Sequence, residues 1–138
     1  MNIFLDSDVV ISSLLSDRGA AYLLLKQRGI KLFVSDLSIK EIEVVAKRLS
    51  IDRNKLHNVI ESKLHVVLLK QTSQQIQTSF IPYVIDKYDA HIVAGAHEAQ
   101  SKFLISYNLR HFKTEQIKRN LGIIVLTPGT FIQYLRSL

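Results

Sequence analysis

The amino-acid sequence predicts a three-layer α/β/α sandwich with a mainly parallel central sheet of about five strands. Two observations carry that expectation. Short apolar runs, NIFL, KLFVSD, HVVLL, FLIS and GIIVL, recur along the chain without strict polar alternation, as in strands buried on both faces. Between them lie stretches whose apolar residues repeat at helical spacing, so strands alternate with helices. With 138 residues, 47% of them hydrophobic, the chain suits a single domain spanning 1–138, and five Gly and two Pro leave no flexible linker.

Taken in order, residues 2–5 form a strand that ends at Asp6, and SDVVISSLLS continues as a helix, which puts Asp6 at a strand's carboxyl end. Asp17, Arg18 and Gly19 interrupt the pattern before AAYLLLKQRG, a second helix with Gly29 as its stop signal. Residues 31–36 read as a buried strand. SIKEIEVVAKRL, 38–49, is amphipathic: Ile39, Ile42, Val45, Ala46 and Leu49 share a face that Glu41 and Glu43 flank on opposite sides. Asp52 or Ser50 caps a helix over RNKLHNVIESKL, and 65–69 is a strand. A short helix from about Ser73 to Phe80 stops before Pro82. Another begins near Asp86; FLIS, 103–106, is a buried strand followed by a polar turn at Tyr107 and Asn108. GIIVL, 122–126, is the last strand, TPG a turn, and TFIQYLRSL a closing helix.

In the helix that begins near Asp86, Ile92, Val93, Ala96 and Ala99 form one apolar face, and Asp89 projects into it between Val93 and Ala96. Asp86 suits the N-cap, and an acid three residues on is favoured by the helix dipole. A second reason for Asp89 emerges if other carboxylates reach the same point. Open α/β sheets bind ligands outside the carboxyl ends of their strands. Asp6 and Asn108 end two strands, and Asp89 starts a helix that opens at the same edge.

Eighteen Lys and Arg against twelve Asp and Glu give a formal charge of +6, which favours polyanionic partners. The absence of cysteine excludes disulfides, thiolate nucleophiles and Cys-based zinc sites. MNIFLDSDVVISSLL has no basic n-region and carries Asp6 and Asp8 where a signal peptide would be apolar, and no run is long enough to span a bilayer. A cytoplasmic location, with no membrane partner, is the expectation. His91 and His97 lie on different sides of their helix, and HExxH, GxGxxG, Walker and GxSxG patterns are absent, although Ser35 and Ser106 end strands.

IFLDSDVVISSLL, VSDLSIKEIEVVAKRL, DAHIVAGAHEAQSKFLISYNLRHF and GIIVLTPGTFIQYL, in that order and spacing, resemble the PIN-domain nuclease family, and within it the VapC-like toxins. The resemblance covers nearly the whole chain. It implies hydrolysis of RNA with Mg²⁺ or Mn²⁺ held by Asp6, Glu41 and Asp89, with Asn108 at the position of the family's fourth acid. Glu41 is chosen over Glu43 by the resemblance alone. Ser106 and Asn108 would be secondary ligands or hydrogen-bond partners; Asp8 stands where many members have Asn, and Asp86 is a cap rather than a ligand. Hard carboxylate oxygens suit such cations; an amide at 108 ligates without charge, so a second metal would be held less firmly. Arg18, Arg110, His111 and Lys113 are the candidates for holding the RNA backbone. A small antitoxin and a homodimer are the implied protein partners. A metal-free RNA-binding or assembly module is the alternative. A DNA flap nuclease ranks last, since the chain lacks the long insertions of that role.

Overall fold

The computed structural model describes all 138 residues. Five strands, β1 (Asn2–Leu5), β2 (Lys31–Ser35), β3 (Leu64–Val67), β4 (Phe103–Ile105) and β5 (Ile124–Leu126), form one sheet in the order β3-β2-β1-β4-β5. Every pairing is parallel. Eight helices flank it: α1 (Ser7–Leu15), α2 (Ala20–Leu25), α3 (Asp36–Arg48), α4 (Arg53–Lys63), α5 (Ser73–Phe80), α6 (Ala90–Glu98), α7 (Thr114–Leu121) and α8 (Pro128–Arg136). No helix is long and apolar enough to cross a membrane.

Successive strand residues face opposite sides of a sheet, and here both sides are apolar. Ile3, Leu5, Phe103 and Ile105 pack with α1, α2, α3 and α8 through Val10, Leu24, Ile42 and Phe131. Phe4, Leu104 and Val125 point the other way, onto α5, α6 and α7 through Ile76, Val93 and Ile117. This double burial is why the strands read as apolar runs rather than alternating ones.

The α6 side is packed closely enough to demand glycine. A Cβ at Gly95 would overlap the edge of the Phe4 ring, 2.7 Å from Cε2 and closer still to Cζ, and that ring is fully buried. Gly95→Ala gains about 1 kcal/mol of helix propensity but overpacks the core at a cost of about 1–3 kcal/mol. The net expectation is a loss on the order of 1 kcal/mol, read from the urea midpoint at unchanged m-value.

Several boundaries differ from the sequence reading. α7 lies outside the sequence reading: Ile117 and Leu121 stand at helical spacing, but they are its only apolar residues and only Ile117 is buried. Gly122 is not in the last strand: at φ 69° it caps α7 in the left-handed region, and its N–H donates to the Lys118 carbonyl. TPG starts a helix. Thr127 is the N-cap, accepting from the Thr130 N–H at 3.2 Å, and Pro128 occupies the first helical position. α2 ends at Leu25, well before Gly29, whose φ of 81° belongs to the following loop. α3 begins at Asp36 because Ser35 Oγ caps it, accepting from the Ser38 N–H at 3.0 Å.

The topology fixes where a ligand can sit. From β1 the chain winds outward through β2 and β3, then returns to the other side of β1 for β4 and β5. The connections therefore part above the carboxyl ends of β1 and β4, which opens a crevice there.

Candidate functional site

Two backbone bonds extend the sheet past its strands and seat the first site residues. The Asp6 N–H donates to the Ile105 carbonyl at 2.9 Å, and the Ser106 N–H to the Leu126 carbonyl at 3.0 Å. Asp6 is both the last residue of the strand path and the N-cap of α1. Its Oδ1 accepts from the Ser7 N–H at 2.8 Å, and its Oδ2 accepts from Ser106 Oγ at 2.7 Å. Ser106 Oγ in turn accepts from the Asn108 N–H at 3.0 Å. The Asn108 amide nitrogen donates to Asp8 Oδ2 at 2.8 Å, where the Tyr107 N–H also donates at 3.1 Å. Asp6, Ser106, Asn108 and Asp8 thus form one chain across the β1/β4 crevice. Asn108 is used as a donor within it, which leaves its carbonyl oxygen for whatever enters.

Asp89 arrives from the opposite wall. Asp86 caps a single 3₁₀ turn over Lys87–Asp89, accepting from the Tyr88 N–H at 2.9 Å. Asp89 is then the N-cap residue of α6 but makes no capping bond with its side chain. The capping demand is met by Asp86, so the Asp89 carboxylate is free to face the crevice. A short antiparallel bridge between Val84 and Phe112, with the Ile85 N–H on the His111 carbonyl, draws this segment against the turn after β4. His111 Nδ1 consequently lies 3.7 Å from Asp89 Oδ2.

Glu41, on α3, is in contact with His91 Nε2 on α6. Glu43 lies elsewhere, in a separate cavity with Lys47, Arg53 and His57. The two histidine–carboxylate pairs are the only pairs of basic and acidic side chains within ion-pair distance in the molecule, despite eighteen Lys and Arg. The sequence sets His91 aside as a metal ligand because it and His97 lie on different sides of their helix; its place two residues after Asp89 is the one signal that ties it to the acids. Glu41, Asp89 and His91 together line a cavity of about 400 Å³.

The acids feel one another. Burial raises the Asp6 carboxyl above the usual carboxylate range, against the Ser106 and Ser7 hydrogen bonds, and repulsion from Asp89 and Glu41 adds to the rise. Burial likewise raises Asp89, with repulsion from Asp86 and Glu41, while His111 and His91 oppose it. Asp8 is pushed up to about 7, by burial first and then by Asp6. Its Oδ1 is buried without a hydrogen-bond partner.

These features suit a divalent cation: hard oxygen donors, mutual repulsion that a positive charge relieves, and an unpaired buried carboxylate oxygen beside Asp6. No three of the carboxylates and imidazoles stand close enough to clasp one ion as arranged, because Glu41 and Asp89 turn toward their histidines. Of the basic residues, exposed Arg110 and His111 occupy the 3₁₀ turn after Asn108, and Lys113 follows, its N–H on the Tyr83 carbonyl. Arg18 is exposed in the α1–α2 loop and pairs with none of the acids.

The sequence profile described as PIN domain matches residues 2–110, most of the chain and all of the acids just described. The chain belongs to the PIN domain family. Solved structures agree on the fold of this PIN domain. A toxin–antitoxin complex from Klebsiella pneumoniae aligns with a TM-score of 0.66 at 19% identity, over 91% of this chain and 97% of that one. VapBC2 from Rickettsia felis, bound to a DNA fragment of its promoter, aligns with a TM-score of 0.62 at 14% identity, over 92% and 98%. A Pyrobaculum aerophilum protein aligns over 100% and 97% with a TM-score of 0.56 at 15% identity. None of the curated proteins matches the sequence significantly.

Proposed function

We propose that this PIN domain is a Mg²⁺- or Mn²⁺-dependent endoribonuclease, the VapC-like toxin of a toxin–antitoxin pair. The observation that carries the reading is the convergence of Asp6, Glu41 and Asp89, on three different elements, into one mutually repelling group at the β1/β4 crevice. A net charge of +6 around so acidic a point favours a polyanion whose phosphate meets a cation there. Solved relatives that are toxin–antitoxin complexes support a small antitoxin partner, and a homodimer goes with the same reading.

Asp6, Asp89 and Glu41 would hold the cation, with the Asn108 carbonyl oxygen as a neutral addition. Bound there, such a cation activates water and offsets charge developing on the phosphate. The chain's own residues prepare the place for it. Ser106 fixes the Asp6 carboxylate and favours its charged form. His111 and His91 offset Asp89 and Glu41 in the metal-free state and must yield those oxygens when a cation binds. Arg110 and Lys113, beyond Asn108, are placed to meet the RNA backbone without reading its sequence, and Arg18 is the outlying candidate.

The test is cleavage of a panel of labelled RNAs with Mn²⁺, with Mg²⁺ and with EDTA, comparing the native chain with Glu41→Gln. Metal-dependent cutting that the variant loses supports the reading; cutting that ignores EDTA contradicts it. Ser106→Ala gives a finer result. Without the hydroxyl the Asp6 carboxyl rises further, so Mn²⁺ affinity at pH 7 should fall about 10–100-fold and partly recover at pH 8.5, where calorimetry reads it directly.

A second reading is favoured by one observation, the histidine-engaged acids together with Asn in place of a fourth acid. In that reading the chain binds RNA without cutting it. Failure to bind Mn²⁺ at millimolar concentration would select it.

A further inference from the structure

We propose that the cavity beside Glu41 and Asp89 receives one unpaired nucleobase of the RNA, stacked on Tyr88 and read at its edge by Gln77 and Ser73. The inference rests on the nuclease reading above and names what that site selects. Four features of the cavity point to this ligand.

The first is what the walls leave unused. Along α5, Thr72, Gln75 and Thr78 spend their side chains on the helix's own backbone: Thr72 and Gln75 make a reciprocal cap, and Thr78 Oγ1 donates to the Gln74 carbonyl at 2.9 Å. Ser73 and Gln77, one helical turn apart and both lining the cavity, have no side-chain hydrogen bond to the protein. A primary amide offers a donor and an acceptor side by side, the complement of a base edge.

The second is an exposed aromatic ring. Tyr88 is 67% exposed and lines the same cavity, with Lys87 Nζ 5.3 Å from its ring centre. An aromatic side chain held at the rim by a capped turn, rather than packed in the core, is a surface for stacking. The third is apolar backing: Leu37 and Ile76 form part of the lining, which suits a flat ring and not a phosphate. The fourth is charge. Glu41 and Asp89 disfavour a second phosphate inside, so the neutral ring is the part of the nucleotide that enters, while Lys40 and Lys87, which have no carboxylate partner, meet the chain on either side.

The size agrees. About 400 Å³ lies near the lower end of ligand pockets and accommodates one nucleoside rather than a base pair. A base in an A-form duplex is stacked on both faces and paired along its edge, so a site of this shape selects single-stranded or looped RNA.

The experiment uses single-stranded RNA oligonucleotides carrying one 2-aminopurine, moved along the sequence position by position. Binding is followed by fluorescence with EDTA, and with Mn²⁺ in an Asp6→Asn background so that no strand is cut. One position should change its fluorescence on binding, and an abasic site there should weaken binding about tenfold. Tyr88→Ala should weaken the intact oligonucleotide by the same factor and leave the abasic one unchanged, while Tyr88→Phe behaves as native. Gln77→Leu should change the preference among bases at that position about tenfold. Both side chains are solvent-facing or half-buried, and thermal midpoints check that the variants are folded. Variants that bind as native, equal binding of duplex and single strands, or no RNA binding by the native chain would each overturn the proposal. If every variant binds as native while Asp6 remains essential for cutting, the pocket fails and the nuclease reading stands. A positioned base without any metal-dependent cutting gives the reverse.

Discussion

Asp6→Asn should lower metal-dependent RNA cleavage by on the order of 10³-fold while raising the thermal midpoint of the metal-free protein at pH 8. The two effects come from one atom pair. As a carboxylate, Asp6 brings a full negative charge to the crevice, and a metal-assisted reaction that loses this charge forfeits several kcal/mol, each 1.4 kcal/mol being tenfold in rate. Without metal, the same charge is buried and faces Asp89 and Glu41, which is why its carboxyl lies above the ordinary range. Asparagine keeps the shape. Its carbonyl oxygen accepts from the Ser7 N–H, and its amide nitrogen can donate to Ser106 Oγ, which reverses one bond without removing it. Loss of cleavage in a protein more stable than native would identify Asp6 as functional rather than structural. Retained cleavage, at matched purification, would remove Asp6 from the site; lost cleavage with lost stability would mean that the cap on α1 was the larger role.

The layered α/β fold was legible because both faces of the sheet are covered. Phe4 and Leu104 pack one way, Ile3, Leu5 and Ile105 the other, so the strands could not alternate and the helices between them had to be amphipathic. Residues that gave little signal were those placed by tertiary contact. α7 holds one buried side chain, Ile117, with Leu121 one turn on; the helical spacing is present, but two apolar residues in eight are a slight content to notice. At the site, Asp6 at the end of β1 and the odd carboxylate at Asp89 could be seen in the sequence, because open sheets place ligands at such edges; Asn108, read as a strand end, stands in the turn three residues past the end of β4. Glu41 and Glu43 could not be separated by spacing. The fold distinguishes them: Glu41 meets His91 across α3 and α6, and Glu43 turns to a different cavity. Asp86 and Asp89 looked like one capping pair. In three dimensions a 3₁₀ turn divides the work, Asp86 capping while the Asp89 side chain makes no capping bond and lies toward His111, a distinction of backbone geometry that residue types do not encode.

Asp8→Asn should stabilise the metal-free protein by roughly 2 kcal/mol at pH 8 and by almost nothing below pH 4. The Asp8 carboxyl has an ordinary value of 3.8 and is pushed up to about 7 in the folded chain, by burial and by Asp6 beside it. Below the lower value both states hold the proton, and the group is neutral with respect to folding. Between the two values the folded state keeps a proton that the unfolded state has released, so stability falls as pH rises through this window. Above about 7 the buried charge is present and the full penalty remains. A shift of that size corresponds to roughly 4 kcal/mol without screening; Asp8 is only partly buried, and solvent halves the figure to the roughly 2 kcal/mol expected. Asparagine removes the titration and keeps an oxygen for the Asn108 amide and the Tyr107 N–H. Urea midpoints in EDTA at pH 4, 6 and 8 read the result, and the gap between variant and native should open with pH. A gap that is the same at all three values would show that Asn108 and Tyr107 hold position 8 by shape alone, with no proton linked to folding. Burial sets most of the upper end of the window, and repulsion from Asp6 adds to it. In the Asp6→Asn background the repulsion is gone, so the Asp8→Asn gain should shrink and its window should move to lower pH.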